Sequence, residues 1–255
     1  MGPISRTSSN IAELYKNALI DVMAHGEMTK PRGFNCKELQ NYVMHLTNPD
    51  NNILNDGVRK TNKAFAAAEF LWVLEGRNDV ESIAQFNSKL RNYSDDGKTF
   101  FGAYGIPFAR QIEYILNVLK KDPWTRQGVL TIWRENPPET KDIPCTVALH
   151  FMRRPLDRLN LTVYMRSNDI WLGLPYDIHL FTCIQIFVAQ TLGILVGSYT
   201  HIDGSLHSYE QDFDKIKECI RSLNDDMYEI TDINLLLTQK RKVCEEYLKR
   251  KNENL

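Results

Sequence analysis

The chain has 255 residues, 43% of them hydrophobic and 25% charged, with a formal net charge of −1. That length can bury a substantial core, and the composition is that of an ordinary globular protein. Near-neutrality excludes a protein that coats nucleic acid, which needs a basic excess, but not one that binds a nucleotide monomer through a few local arginines.

In chain order, residues 1–9 are polar and expected to be flexible. Asn10 and Glu13 supply capping-box chemistry ahead of Ile11, Leu14, Tyr15, Ala18 and Val22, which recur at helical spacing up to Gly26. Residues 30–55 are turn-rich, with a strand expected at Tyr42–Leu46. A helix is expected from about Asn62 to Leu74, stopped by Gly76, then a loop-rich stretch from Asn92 to Pro107 and a helix over Ile112–Leu119. Three short β-branched or aromatic runs, Gly128–Trp133, Thr146–Phe151 and Leu159–Met165, read as strands. Ile178–Leu192 reads as a central buried helix, Val196–Ile202 as a strand before a turn at Gly204-Ser205, and Ser208–Leu223 as an amphipathic helix. Residues 240–255 are highly charged, a solvated helix or tail. With no repeat and no linker, the expectation is one α+β domain over 1–255.

Five scattered cysteines without a CxxC pair fit a reducing compartment better than a disulfide framework. No apolar run reaches the roughly 20 residues of a membrane span, and the first ten residues lack the apolar core of a signal peptide. A cytoplasmic protein with no membrane partner is expected. His201 and His207 have no acidic or cysteine ligands at a suitable spacing, so no metal is expected.

Several residues have the chemistry of a nucleotide-transforming site. Cys145 follows Pro144 and opens a strand, and a nearby guanidinium would favour its reactive thiolate. Glu69 shares a helix face with the apolar Phe65, Trp72 and Val73, so its carboxyl must be paired, bonded through water, or raised in pKa by desolvation. Arg32, Arg126 and Arg166 have the fork geometry that grips phosphate, and Ser167 adds a hydroxyl. His207 and Tyr209, two apart on an extended segment, point to one side and could bind one sugar hydroxyl.

Taken together, Glu69-Phe-Leu-Trp-Val-Leu-Glu-Gly76, Gly102-Ala-Tyr104-Gly, Asp122-Pro-x-x-Arg126, Pro144-Cys145, the run Arg166 to Asp177 and His207-x-Tyr209 resemble the thymidylate synthase family in order and spacing. The resemblance covers about Ala64 to Glu210. It implies a mixed sheet packed by helices, a sheet-mediated homodimer, and methylenetetrahydrofolate as one-carbon cosubstrate. Carried over, Cys145 is the nucleophile adding to C6 of the pyrimidine, Glu69 the proton-managing carboxyl and Tyr104 the auxiliary hydroxyl. Arg32, Arg126, Arg166 and Ser167 hold the phosphate, one arginine crossing the dimer interface. Asn168, Asp169, His207 and Tyr209 hold the nucleoside, and Asp169, Leu172, Gly173 and Tyr176 line the folate side.

The departures from the family pattern move the expected substrate. Asp177 stands where these synthases have asparagine. Cytosine offers N3 as acceptor and N4 as donor, so a carboxyl accepts from N4, and a shared proton makes the bond to N3. An ionised carboxylate would face O4 of uracil, acceptor against acceptor. At about 1–3 kcal/mol for an unsatisfied buried polar group, cytosine is favoured about tenfold or more. Thr146 replaces the usual histidine, and Cys145-Thr146 with Asp177 resembles the family's phage deoxycytidylate hydroxymethylase branch. Gln127 and Met165 stand where arginine and glutamine are usual, and Asn87 and Leu90 where folate-packing tryptophans are. Loss of aromatic cover would admit water, so hydroxymethylation of dCMP is expected. Methylation of dCMP or CMP, conversion of dUMP to thymidylate, and a non-catalytic nucleotide- or RNA-binding regulator are the alternatives.

Overall fold

The computed structural model describes residues 2–238, and the charged segment expected over 240–255 lies outside them. Elements in chain order are β1 (Ser5–Ser8), α1 (Ile11–His25), β2 (Glu27–Thr29), β3 (Cys36–Leu46), β4 (Ile53–Leu54), α2 (Lys63–Leu74), α3 (Val80–Ala84) and α4 (Gly105–Lys121). They continue with β5 (Val129–Thr131), β6 (Thr146–Arg154), β7 (Arg158–Met165), β8 (Asn168–Asp169), α5 (Leu174–Leu192), β9 (Leu195–Tyr209), α6 (Phe213–Ser222) and β10 (Tyr228–Glu229). The class is α+β, a mixed sheet packed by helices. One eight-stranded sheet runs β1-β3-β9-β7-β6-β5, with β2 against β3 and β8 against β9. β9 pairs antiparallel with β3 and parallel with β7 and β8.

Local chemistry explains the helices. The Asn10 side chain accepts from the Glu13 amide at 3.0 Å, capping α1, while the Glu13 carboxylate takes the Ser8 hydroxyl rather than closing a capping box. Asn62 caps α2 in the same way, accepting from the Phe65 amide at 3.0 Å. α5 starts at Leu174-Pro175 and ends at Gly193, whose φ of 67° is the left-handed conformation glycine adopts freely. Most of α5 is buried, from Leu174 and Ile178 to Val188 and Ala189, and it packs with α1, β7 and β9 into the main core.

Several boundaries differ from those read in the sequence. Ser5–Ser8, expected to be flexible, form β1, paired in parallel with Val43–Leu46. β3 begins at Cys36 rather than Tyr42, because Cys36–Gln40 bond to Ser205–Tyr209. Those bonds also carry β9 straight through Gly204-Ser205, where a turn is expected, and delay α6 to Phe213. α4 starts at Gly105, inside the expected loop. Among the described residues, no helix is long and apolar enough to cross a membrane.

Candidate active site

The site forms where the parallel ladder on β9 is interrupted. β7 pairs with β9 as far as Met165 opposite Asp203, and β8 resumes at Asn168 opposite Leu206, so Arg166 and Ser167 fall in the gap. The Arg166 amide donates to the Cys145 carbonyl at 2.9 Å, which sets the two residues side by side at the end of β6. The Arg166 guanidinium donates through Nε to the Pro144 carbonyl at 3.0 Å and through Nη2 to the Ile143 carbonyl at 3.1 Å, and stands 5.6 Å from the Trp133 ring centre. It braces the segment that presents the cysteine.

Burial pushes the Cys145 thiol above its usual range; Arg166 and Arg32 pull it down, while Asp177 and Asp142 push it up. The sequence argument had the guanidinium favouring the thiolate, and the charge acts in that direction, but desolvation outweighs it. The effect of Arg32 on Cys145 brings its charge within reach of the site, and its Nη2 donates to the Tyr209 hydroxyl at 3.2 Å. Ser167 is half-buried.

Glu69 faces inward from α2, one turn after the buried Phe65, and burial raises its carboxyl to about 7. The Tyr104 hydroxyl, just before α4, is pushed well above its ordinary value by burial, then by Asp177 and Cys145, with Thr146 opposing and Glu69 adding. Its ring stacks on Phe181 of α5 at 6.0 Å. Thr146 is fully buried, its hydroxyl set against that of Tyr104.

Asp177 lies in the first turn of α5. Burial pushes its carboxyl well above the carboxylate range, Glu69 adds to that, His201 opposes it, and Asp203 and Asp169 add again. The shift is toward the protonated form, whereas the sequence argument against uracil used the ionised form. Gly173 permits the arrangement: a Cβ there would lie 3.0 Å from both Asp177 Oδ2 and Asn168 Oδ1. Asn168 is buried, its Nδ2 3.4 Å from Met165 Sδ and 3.1 Å from His201 Nε2, and its Oδ1 has no hydrogen-bond partner among the described residues.

The residues expected to hold the nucleoside and to line the folate side divide. The His207 and Tyr209 rings meet edge-on at 5.3 Å, and His207 Nδ1 has no hydrogen-bond partner among the described residues. Asp169 Oδ1 accepts from the amides of Trp171 and Leu172, both at 2.9 Å, so it shapes the turn into α5. Leu172 is exposed. The Tyr176 hydroxyl accepts from the Asn62 amide at 2.9 Å, and its ring packs edge-on against Phe65 at 5.0 Å. Arg126 is exposed, and among the described residues its guanidinium makes no hydrogen bond or ion pair with the others.

Other contributors were not singled out as nucleotide- or folate-site residues in the sequence. Arg59 donates to the Trp171 carbonyl at 2.5 Å and the Leu172 carbonyl at 3.2 Å, and lies over the rings of Trp171 and Tyr176. Phe86 and Tyr93 are exposed aromatics flanking Asn87 and Leu90. Tyr199, His201 and Asp203 form a buried polar line on β9, and their alternation on a strand was a legible signal. No group of three His, Cys, Asp or Glu side chains among the described residues could hold a metal ion.

The mixed sheet and its helices put Cys145, Arg166, Tyr104, Glu69 and Asp177 within electrostatic reach of one another. The family model described as "Thymidylate synthase" matches residues 13–248, and the chain belongs to the thymidylate synthase family. It is 34% identical over 240 residues to the deoxyuridylate hydroxymethyltransferase of Bacillus phage SP01, covering 85% of this chain and 62% of that one. It is 36% identical over 167 residues to the deoxyuridylate hydroxymethyltransferase of Pseudomonas phage M6, covering 62% of this chain and 48% of that one. The matched region thus spans between about half and under two thirds of these relatives' own length.

Proposed function

We propose that the protein transfers a one-carbon unit from methylenetetrahydrofolate to C5 of dCMP and leaves it as a hydroxymethyl group. The observation that carries this reading is the place of the Asp177 carboxyl in the first turn of α5 beside Gly173, where burial first and then Glu69 push it above the ordinary carboxylate range. A neutral acid can donate to N3 of cytosine and accept from N4, or donate to O4 of uracil and accept from N3–H. Ring N3 of cytosine is much the stronger base, so the donated bond, and any proton passed along it, favours cytosine.

In this reading the nucleotide phosphate binds Arg166, Ser167 and Arg32, and His207 with Tyr209 meets the sugar. The Cys145 thiol gives up its proton and sulfur bonds to C6, while Asp177 passes a proton to N3 as electrons move into the ring. C5 then bonds to the folate-borne methylene, and the C5 proton leaves toward Tyr104 and ordered water. Glu69, near 7, holds or releases a proton at neutral pH without large cost. Departure of tetrahydrofolate leaves an exocyclic methylene; water adds there, and the sulfur–C6 bond breaks. The sum is dCMP, methylenetetrahydrofolate and water giving hydroxymethyl-dCMP and tetrahydrofolate. The exposed Leu172 and the Tyr176 ring, beside Phe65 on the helix of Glu69, suit the flat folate.

Arg126, free of the site in its own chain, suits a phosphate held across a homodimer, and the sheet face that carries the exposed Val129 and Tyr164 is open to that pairing. The free Cys36, Cys145, Cys183 and Cys219 suit a reducing cytoplasm. The test incubates enzyme and methylenetetrahydrofolate with dCMP or dUMP and identifies both products by mass. Hydroxymethyl-dCMP with tetrahydrofolate is expected; methyl-dCMP with dihydrofolate would replace the hydroxymethyl step. A second reading, hydroxymethylation of dUMP, is favoured by the activity for which the phage relatives are named. In that case dUMP outcompetes dCMP in the same assay.

A further inference from the structure

Two stretches of chain supply the reacting groups separately. Glu69 and Tyr104 come from α2 and the segment after it, whereas Cys145 and Arg166 come from the segments beside β6 and β7. The α2 part holds together as one body. Trp72 on α2 donates its indole N–H to the Asp79 carbonyl at 3.2 Å, and its ring packs edge-on against Phe100 at 6.1 Å. The Val80 and Phe100 amides donate to the carbonyls of Lys98 and Asn78, both at 2.8 Å, and Asp96 accepts from the Lys98 and Thr99 amides, both at 2.7 Å. The cysteine part is fixed by Arg166, which holds the carbonyls of Ile143, Pro144 and Cys145.

Asp142, three residues before Cys145, joins the two parts. Its Oδ2 accepts at 2.7 Å from the amide of Gly102, which lies two residues before Tyr104. Asp95 adds a second tie: it accepts from the Lys141 amide at 3.2 Å and from the Thr140 hydroxyl, to which the Asp142 amide donates at 3.1 Å. The two stretches cross so closely that a Cβ on Gly102 would lie 2.5 Å from the Asp142 carbonyl oxygen and 3.0 Å from Oδ2. Glycine permits that approach, and Pro144, with its fixed φ, leaves little slack between Asp142 and the thiol. Beyond the crossing, the Tyr104 hydroxyl stands within electrostatic reach of Cys145 and Asp177.

We propose that Asp142 is a positioning residue: by pinning the Gly102 amide it sets the Tyr104 hydroxyl in register with the pyrimidine carbon that Cys145 activates. The inference rests on the reading of Cys145 as the nucleophile and Tyr104 as the hydroxyl toward which the C5 proton leaves. A misplacement of about 1 Å at such a group can cost on the order of 100-fold in rate, so the crossing governs proton removal more than nucleotide binding. An acceptor of the right shape is what the site needs. Asparagine at 142 keeps an oxygen for the Gly102 amide, and alanine does not.

The test measures C5-tritium release and nucleotide affinity in D142A, D142N, Y104F and the double variant D142A with Y104F, on whichever of dCMP and dUMP the wild type turns over. D142A should bind nucleotide within about threefold of the wild type and release tritium about 10-fold to 100-fold more slowly. D142N should recover most of that loss. Both remove the negative charge that weighs on the Cys145 thiol, so the difference between them belongs to the bond. In the Y104F background D142A should cost less than about threefold, because the hydroxyl it places is gone; independent roles would add. If D142A does not fold, D142L keeps the bulk without the acceptor and takes its place. Wild-type release in folded D142A or D142L, full additivity with Y104F, or D142N as slow as D142A would each overturn the proposal. Unchanged release in Y104F or Cys145→Ser would sink the underlying reading and the proposal with it. The two failures differ in which single variant stays fast.

Discussion

The Arg166 guanidinium donates to the carbonyls of Ile143 and Pro144, while its amide holds the carbonyl of Cys145. One arginine thus fixes the backbone that aims the nucleophile and brings charge toward a phosphate. Lysine keeps the charge and loses the planar fork. Arg166→Lys should weaken nucleotide binding about 10-fold to 100-fold, the worth of about 1.5–3 kcal/mol for hydrogen bonds to a charged group. It should also slow turnover, because the Ile143–Cys145 segment loses its brace. Calorimetric titration with dCMP beside tritium-release kinetics separates the two effects. A variant binding nucleotide as the wild type does would remove Arg166 from the phosphate site.

Cys145 has a sharper expectation. Serine is nearly isosteric but a far weaker nucleophile, so Cys145→Ser should lose at least about 10³-fold in tritium release with nucleotide affinity nearly unchanged. Exchange at C5 requires the sulfur–C6 bond in the proposed sequence. Persistent exchange in the serine variant would mean that another group adds to the ring.

Glu69 links the chemistry to stability. Its carboxyl rises from 4.5 to about 7 on folding, so the folded chain holds a proton that the unfolded chain has lost. Below pH 4.5 both states are protonated and there is no cost; as pH rises toward 7 the folded state loses stability, by at most about 3 kcal/mol. Glu69→Gln removes that dependence. Its melting temperature should exceed that of the wild type above pH 7 and match it near pH 4.5, while turnover falls about 10²–10⁴-fold. Parallel melting curves across that pH range would show that Glu69 is not buried as described.

Much of this was legible in the sequence because local chemistry fixed it. Asn10 and Gly26 mark the ends of α1, and Asn62 the start of α2, through side-chain or backbone geometry that needs no tertiary context. Glu69 stood out as a carboxyl on an apolar helix face, and the fold keeps it there. What could not be read depends on distant pairing. Gly204-Ser205 has the composition of a turn, yet Gln40 and Tyr42 flank it on β3 and hold it extended. The thiol of Cys145 could be placed beside a guanidinium, but the balance between that charge and burial is set by the packing of the whole cleft. His201 and Asp203 were weighed as metal ligands or passed over, because their meaning comes from Asn168, more than thirty residues earlier.

Asp177→Asn exchanges an acid for an amide of the same shape. The amide offers NH2 to O4 and oxygen to N3–H, the pattern of uracil, and sets donor against donor at N4 of cytosine. The ratio of kcat/KM for dCMP over dUMP should fall by about 10-fold or more, from one unsatisfied buried polar contact at about 1–3 kcal/mol. Side-by-side tritium release from C5-labelled dCMP and dUMP measures it directly. An unchanged ratio would leave residue 177 without a part in reading the base.

The tight space beside Gly173 makes it a test of position rather than chemistry. A methyl group there would sit 3.0 Å from Asn168 Oδ1 and from Asp177 Oδ2, tighter than ordinary packing allows, so one or both side chains must give way. The backbone at Gly173 has φ −95° and ψ −55°, which alanine adopts without strain, so the helix start itself should survive. Gly173→Ala should therefore fold with a melting temperature within a few degrees of the wild type, an overpacking cost of about 1–3 kcal/mol being the upper bound. Turnover of dCMP should drop about 10-fold or more through misplacement of Asp177, with Cys145 still titratable by a thiol reagent at its wild-type rate. Full activity in that variant would mean that the two oxygens have room to part without consequence, and that their shared contact at Gly173 does not hold the base-facing carboxyl in register.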